Sequence, residues 1–140
     1  MSFKVPDLSY DYSALEPYID EETMRFHHDK HHVAYVNMLN GAVEAAGNLG
    51  KKTVRELITD LDAVPEAQRG AVRNHGGGHF NHAMFWEIMG PVSGEMSSEL
   101  NTALLEAFES LDDFKAEFHK AGMTRFGSGW AWLCSSKGKL

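Results

Sequence analysis

The sequence has very little cysteine and no long uninterrupted hydrophobic run. Its single cysteine, Cys134, excludes an internal disulfide framework and is compatible with a reducing compartment. No stretch approaches the roughly 18 consecutive apolar residues that a membrane helix requires. Residues 1–7 lack the apolar core and small-residue cleavage site of a secretory signal. These absences predict a cytoplasmic protein with no membrane partner.

Basic residues are also scarce, with 13 lysines and arginines against 20 acidic residues and a net charge of −7. A nucleic-acid-binding protein usually carries a basic stripe, and none is present, so we expect no nucleic-acid partner. The same charge repels a small anion at long range, and an anionic ligand would therefore need a local positive patch. Hydrophobic residues make up 43% of the 140 residues, which is typical of a folded soluble protein.

Helical periodicity runs through most of the chain. Asp20 is a suitable N-cap for a long helix that extends to about residue 46 and stops at residues 47–50. A second long helix is predicted from Pro65, at its first position, to Met89. Shorter helices are predicted at residues 53–61, 98–109 and 111–121, the last of them ended by Gly122. The inner stripe of the first long helix is predicted to consist of Met24, His27, His31, Ala34, Tyr35, Met38, Leu39 and Ala42.

Three consecutive glycines, Gly76-Gly77-Gly78, interrupt the second long helix. Each costs about 1 kcal/mol relative to alanine in a helix interior, so propensity alone would break the helix there. The alternative is that another group packs too closely for a side chain, as happens beside a buried site.

The character of the chain changes near its end. Residues 127–134 alternate small and large side chains and are rich in aromatics, which predicts a strand. Residues 135–139 resemble a hairpin turn, and Leu140 would open the returning strand. Because a single strand leaves an unsatisfied edge, we expect the sequence to be incomplete at its C-terminus.

Four histidines occupy six positions in residues 27–32. Residues four apart on a helix differ by about 40° in direction, so His27, His31 and Tyr35 form one ridge. Histidine is the commonest metal ligand, and the second long helix carries His82. Together the two helices suggest half of a metal centre.

The residues alone leave other interpretations open. No HExxH, CxxC, phosphate-binding loop or GxSxG motif is present. One alternative is a histidine-rich module that binds zinc or nickel without redox chemistry. Another is a metal-free helical interaction domain whose histidines titrate together near pH 6.5.

Four segments, in order along the chain, resemble the iron/manganese superoxide dismutase family. They are Leu8-Ser9-Tyr10-Asp11-Tyr12 with Ala14-Leu15-Glu16-Pro17, His27-His28-Asp29-Lys30-His31-His32 with Tyr35-Val36-Asn37, Gly77-Gly78-His79-Phe80-Asn81-His82 with Phe85-Trp86, and Arg125-Phe126-Gly127-Ser128-Gly129-Trp130-Ala131-Trp132-Leu133. The resemblance implies an α+β fold. Residues 1–90 would form a long antiparallel helical hairpin, and residues 91–140 would begin an α/β domain that is truncated after its first strand.

The resemblance also implies roles for individual residues. His27 and His82 would be metal ligands, one from each long helix. Tyr35 would stand at the mouth of the substrate channel with His31 beside it, and both are the predicted catalytic residues. Lys30 would be a cation near that entrance, supplying the local attraction for an anion. Three tryptophans, Trp86, Trp130 and Trp132, would wall the cavity.

The implied activity is the conversion of superoxide to oxygen and hydrogen peroxide at one manganese, or alternatively iron, per complete subunit. The family's remaining two ligands lie in an Asp-x-x-x-His segment that nothing here matches, so they are expected beyond Leu140. Gly78 favours manganese, because iron-type members place a glutamine at that position. Manganese-type members supply the glutamine from across the site, into the space that glycine leaves. We expect the 140-residue chain alone to be poorly active, and the complete protein to be a homodimer or homotetramer.

Overall fold

The computed structural model describes residues 2–47, 49, 51–127 and 129–140. The chain divides into two compact units, Met1–Ser93 and Gly94–Leu140. None of the helices in the described ranges combines the length and apolar character needed to cross a membrane.

The first long helix (residues 21–46) is continuous but changes its winding. An α-helix over Glu21–Phe26 passes into a π-helical segment over His27–His32 and then into an α-helix over Val33–Ala46. The side chain of Asp20 accepts a hydrogen bond from the Thr23 amide at 2.7 Å, which confirms the predicted N-cap. The helix ends at Gly47, whose φ of 70° lies in the left-handed region that glycine adopts without strain. Asn48 and Gly50, the remaining parts of the predicted stop, lie outside the described residues.

The second long helix (residues 66–88) runs through the three glycines without a break. It consists of an α-helix over Glu66–Ala71, a π-helical segment over Val72–Gly76 and an α-helix over Gly77–Ile88. Pro65 is its N-cap and not its first residue, and the Pro65 carbonyl accepts from the amides of Gln68 and Arg69. The predicted limits are otherwise confirmed to within one residue. The two long helices form the helical hairpin expected for the N-terminal domain.

Shorter segments brace the hairpin. The helix Val54–Thr59 begins with a capping box between Thr53 and Glu56 and is followed by a 3-10 turn over Leu61–Ala63. The N-terminal arm contains a 3-10 turn over Tyr12–Leu15.

The apolar core of the first unit lies between the long helices and the Val54–Thr59 helix. It is built from Leu39, Leu49, Leu57, Val64 and Val72. The side-chain amide of Asn40 attaches the N-terminal arm to this region by accepting from the Phe3 amide at 2.7 Å and donating to the Phe3 carbonyl at 3.0 Å.

The predicted inner stripe of the first long helix is only partly correct. Its Met24 and Leu39 are buried, but Met38 is 55% exposed and His31 and Ala34 are also exposed. The residues that are buried follow a different spacing, Met24, His28, His32, Val36 and Leu39. Three successive steps of four residues fit a helix that is wound more widely than 3.6 residues per turn, as the π-helical segment requires. The inner stripe predicted with 3.6 residues per turn therefore departs from the face that is buried in the structure.

The second unit contains two helices, Ser98–Phe108 and Leu111–Thr124, capped by the side chains of Ser97 and Ser110. The second helix continues through Gly122, so the predicted end at that residue was wrong. Residues 127 and 129–134 form no strand, which corrects the prediction made for that segment. Ser128, also part of it, lies outside the described residues. Ser136 and Lys139 form an isolated antiparallel bridge at the predicted hairpin turn. A strand is stabilised by ladder hydrogen bonds to a neighbouring strand. The described part of this unit contains no strand beside residues 129–134.

Candidate metal centre

Two histidines from different long helices meet in the first unit. Nε2 of His27 lies 3.0 Å from Nε2 of His82, and the two rings cross nearly at right angles with centroids 4.9 Å apart. His27 begins the π-helical segment of the first long helix, and π-helical turns are frequent at functional sites. The pair predicted as metal ligands is therefore brought together.

The backbone orients His82. Its Nδ1 lies 2.7 Å from the carbonyl oxygen of Gly78, which can only accept, so Nδ1 carries the proton. In the neutral ring Nε2 then holds a lone pair directed at His27. A hydrogen bond from the distal ring nitrogen to a backbone carbonyl is the usual way in which a metal-binding histidine is fixed in tautomer and direction.

His31 and Tyr35 complete the group that the sequence predicted. The His31 ring lies 5.5 Å from that of His27 and 5.2 Å from that of His82, and the Tyr35 ring lies 5.1 Å from that of His82. One ligand atom each from His27, His31 and His82 fall within 4.8 Å of one another. His31 is exposed while His82 is buried, so the cluster opens on one side.

The glycine run is explained by close packing at two of its three positions. A Cβ on Gly78 would overlap ring carbons of Tyr35, and a Cβ on Gly76 would lie 2.9 Å from Cγ2 of Ile58. A Cβ on Gly77 would meet nothing within 4 Å. The space beside Gly78, expected to admit a side chain from across the site, holds the Tyr35 ring.

Aromatic side chains flank His27. Its ring lies 4.9 Å from that of Trp86, which is buried, and 5.9 Å from that of Phe85. Trp130 and Trp132 belong to the second unit, where their rings lie 5.6 Å apart. Their predicted place in the cavity wall stays a prediction, as does the predicted role of the exposed Lys30.

A buried layer behind the ligand pair was not predicted. The Trp86 indole N–H donates to Nδ1 of His32 at 2.9 Å, and Nε2 of His32 lies 2.8 Å from Nδ1 of His79. The His32 ring stacks on that of His82, with centroids 5.2 Å apart and 28° between the planes. The spacing of His28 and His32 did not reveal it, because His27 and His31 are also four residues apart.

His28 faces the N-terminal arm. Its Nε2 lies 2.9 Å from the Pro6 carbonyl oxygen and its Nδ1 lies 2.7 Å from Oδ1 of Asp29. The Tyr12 hydroxyl donates to the same Asp29 oxygen at 2.7 Å. These contacts hold the arm against the helix that carries His27.

Burial keeps the central imidazoles neutral. It lowers the pKa of His27 to about 4, together with electrostatic repulsion from the neighbouring imidazoles of His82 and His31, which contributes a smaller amount. It also lowers the pKa of His32 to about 3, aided by His79. The pKa values of His79 and His82 are lowered by burial as well. A metal binds the unprotonated ring, so the site is ready for a cation at neutral pH.

The donor set fits manganese or iron. It consists of imidazole nitrogens without a thiolate. Imidazole suits iron as well as zinc, copper and nickel, and manganese is favoured where oxygen ligands join the imidazoles. Two nitrogens at about 2.1 Å from one ion lie about 3.0 to 3.4 Å apart at bond angles between square and tetrahedral. The 3.0 Å separation of His27 and His82 is within that range.

Comparison with known proteins assigns the chain to a family. Residues 2–90 match the α-hairpin domain of iron/manganese superoxide dismutases, and residues 96–140 match the C-terminal domain of the same enzymes. The chain belongs to the iron/manganese superoxide dismutase family.

Individual relatives agree with this assignment. The chain is 54% identical over 139 residues to the superoxide dismutase [Mn] 1 of Leptolyngbya boryana, covering 98% of this chain and 56% of the relative. It is 51% identical over 141 residues to the superoxide dismutase [Mn] of Listeria innocua, covering 100% of this chain and 70% of the relative. A superoxide dismutase [Mn/Fe] 2 of Staphylococcus aureus is 51% identical over 140 residues, covering 100% of this chain and 69% of the relative. The chain thus spans between 56% and 70% of the length of these relatives.

Proposed function

We propose that a protein containing this chain converts superoxide to oxygen and hydrogen peroxide at a manganese, or alternatively iron, centre held in part by His27 and His82. The observation that carries the proposal is the 3.0 Å approach of the two Nε2 atoms, with the Nδ1 proton of His82 held by the Gly78 carbonyl. Relatives whose names specify Mn or Mn/Fe support the choice of metal. The glycine at position 78 favours manganese over iron.

The bound metal would supply a one-electron change between its +3 and +2 states. His27 and His82 would hold it through neutral Nε2 atoms. We propose that an aspartate and a third histidine complete the ligand set from a segment that follows residue 140 in a longer protein. The coverage of only 56% of the Leptolyngbya boryana relative supports this.

Two protons are consumed for each pair of superoxide ions, in the balance 2 O2•− + 2 H+ → O2 + H2O2. We propose that Tyr35 and His31 pass these protons inward, because their rings lie 5.2 Å apart and both adjoin His82. The exposed His31 can exchange protons with water. Phe85 and Trp86 restrict the access of water on the side of His27.

The net charge of −7 opposes the approach of superoxide. Lys30 is exposed and precedes His31 in the chain. We propose that its ammonium group provides local attraction at the open side of the cluster, an effect that salt would screen.

We also propose a domain organisation and an assembly state, on the basis of the family to which the chain belongs. Residues 1–90 would act as the helical metal-binding domain and residues 91–140 as the start of an α/β domain. Residues 129–134 would become a strand when a neighbouring strand is present. A homodimer or homotetramer in the cytoplasm is the expected form of the complete protein.

The proposal can be tested with a chimera in which the C-terminal part of the Leptolyngbya boryana relative follows this chain. We expect the chimera to bind manganese and consume superoxide, and the 140-residue chain alone to be poorly active. Changing His82→Ala in the chimera should abolish stoichiometric metal retention, measured by elemental analysis. The exposed His119 provides a matched His119→Ala control that should retain the metal.

Full metal retention in the His82→Ala chimera would remove His82 from the ligand set. A chimera that binds zinc or nickel and leaves superoxide unconsumed would favour the histidine-rich module without redox chemistry. Full activity of the 140-residue chain would contradict the need for further ligands.

A further inference from the structure

The buried layer behind the ligand pair consists of His32, His79 and Trp86, which connect the two long helices. His32 is 0% exposed, and the other two are also buried. Neither His32 nor His79 belongs to the group that could hold a metal among the described residues. The centroid of the His32 ring nevertheless lies 5.0 Å from that of His79 and 5.2 Å from that of His82.

The indole of Trp86 determines the proton positions in this layer. An indole N–H can only donate, so Nδ1 of His32 must accept and carries no proton. A neutral His32 then has its proton on Nε2, which donates to Nδ1 of His79 at 2.8 Å. The neutral His79 in turn carries its proton on Nε2. One donor thus fixes two tautomers in sequence.

No other arrangement of protons satisfies these two contacts. With a proton on Nδ1, His32 would present an N–H to the indole N–H, and both groups are buried. A cationic His32 would also carry a proton on Nδ1 and would have the same conflict.

We propose that Trp86 and His79 hold His32 as a neutral Nε2–H imidazole, and that His32 is a positioning residue for His82 and does not bind the metal. Its ring stacks on that of His82, with centroids 5.2 Å apart and 28° between the planes, and His82 is buried. The Gly78 carbonyl fixes the tautomer of His82, while His32 fixes the tilt of its ring.

The same network selects the ligands. Both nitrogens of His32 are used in hydrogen bonds, and a metal could bind there only after breaking one of them. His27, His31 and His82 remain the imidazoles that face a common point. The inference rests on the proposed function only in taking His82 as a ligand.

The first test measures the tautomer directly. Metal-free protein labelled with 15N-histidine is studied at pH 7 by NMR correlations between ring carbons, protons and nitrogens. We expect His32 and His79 each to carry one proton, on Nε2. A proton on Nδ1 of His32, or on both of its nitrogens, would overturn the proposal.

The second test uses two substitutions of nearly equal size at His79. In His79→Asn the side-chain oxygen replaces the Nδ1 acceptor, whereas His79→Leu leaves the Nε2–H of His32 without a partner. The affinity of the chimera with the Leptolyngbya boryana relative, unmodified at His79 or carrying either substitution, for Mn2+ alone is measured from the electron paramagnetic resonance signal of the free ion. We expect His79→Leu to bind about 10-fold to 100-fold more weakly, as is common for groups that orient a ligand, and His79→Asn to remain close to the unmodified protein.

Equal affinities in the two variants would overturn the proposal, because the hydrogen bond would then be irrelevant. If His79→Leu fails to fold, as judged by far-UV circular dichroism, Trp86→Phe replaces it. That variant removes the indole donor, and we expect both tautomers of His32 and a similar loss of affinity. Failure of the unmodified protein to bind Mn2+ would count against the proposed function, while the tautomer measurement would still decide the present inference.

Discussion

At the residue scale, Gly78 has two roles in the candidate site. Its carbonyl accepts the Nδ1 proton of His82 and thereby directs Nε2 towards His27. Its missing side chain leaves room for the ring of Tyr35. A single glycine therefore sets both the direction of a proposed ligand and the position of the proposed proton donor, and this compensates for its poor helix propensity.

The neighbouring glycines give a matched pair of substitutions. Gly77→Ala meets nothing within 4 Å, so we expect it to raise the free energy of unfolding by up to about 1 kcal/mol through helix propensity. Gly78→Ala must displace the Tyr35 ring, and we expect it to lower that free energy by about 1 to 3 kcal/mol. Urea denaturation of the two variants measures both effects. A Gly78→Ala variant as stable as Gly77→Ala would show that the Tyr35 ring does not need this space.

The sequence could predict some of these residues and not others. Spacing alone placed His27, His31 and Tyr35 on one ridge, and the resemblance to the family selected His82. Spacing could not distinguish the pair His27 and His31 from the pair His28 and His32, because each is four residues apart on its own face. The choice depends on what the second helix presents, namely His79, His82 and Trp86. That information is not local to the first helix.

At the element scale, neutral imidazoles join the two long helices. His27 meets His82, and His32 meets His79, at 3.0 and 2.8 Å between ring nitrogens. Aliphatic side chains do not titrate, so the stability of an aliphatic interface would not change in moderate acid. This interface depends on each ring remaining unprotonated or sharing its proton in one direction.

We therefore expect acid to destabilise the metal-free protein. Above about pH 6.5 these imidazoles are neutral in both the folded and unfolded states, and the free energy of unfolding has its full value. Below pH 6.5 the unfolded chain binds more protons than the folded chain, because the folded-state pKa values are lower. The free energy of unfolding therefore decreases. The loss from His27 continues to a pH of about 4 and that from His32 to about 3. Urea midpoints should change little between pH 7.5 and 6.5 and should decrease from pH 6.5 to pH 5.

The chosen range isolates the imidazoles, because carboxyl groups ordinarily titrate below pH 5. Replacing one of the rings whose pKa is lowered, as in His27→Gln, should reduce the dependence of the midpoint on pH. A midpoint that stays constant or increases from pH 7.5 to 5 would contradict neutral histidines between the helices.

Element limits were predictable where local contacts set them. The Asp20 cap and the stop at Gly47 depend on residues within one turn, and the structure confirms them. The strand over residues 127–134 was not confirmed because ladder hydrogen bonds require a partner strand, which neither side-chain alternation nor turn residues can supply. The π-helical winding of His27–His32 could not be predicted from a periodicity of 3.6 residues per turn.

At the scale of the whole molecule, buried apolar side chains are distributed unequally between the two units. Among the described residues, those in the first unit are Met24, Val36, Leu39, Leu49, Leu57, Val64, Val72 and Trp86. Leu104 is the corresponding residue of the second unit. Burial of apolar surface is the main favourable term in folding, so the two units differ in their capacity to fold alone.

We expect a fragment of residues 1–93 to fold cooperatively and a fragment of residues 94–140 to fail to do so. The first contains the entire core cluster and both bridging histidine pairs. The second is short, and isolated helices of 11 and 14 residues are marginal in water without a packed face. Thermal unfolding followed by far-UV circular dichroism should give a sigmoidal transition for residues 1–93 and a gradual, low-amplitude change for residues 94–140. A cooperative transition in the second fragment would show that its own apolar side chains suffice for folding. A gradual change in the first fragment would show that its core and histidine layer need more of the chain to assemble.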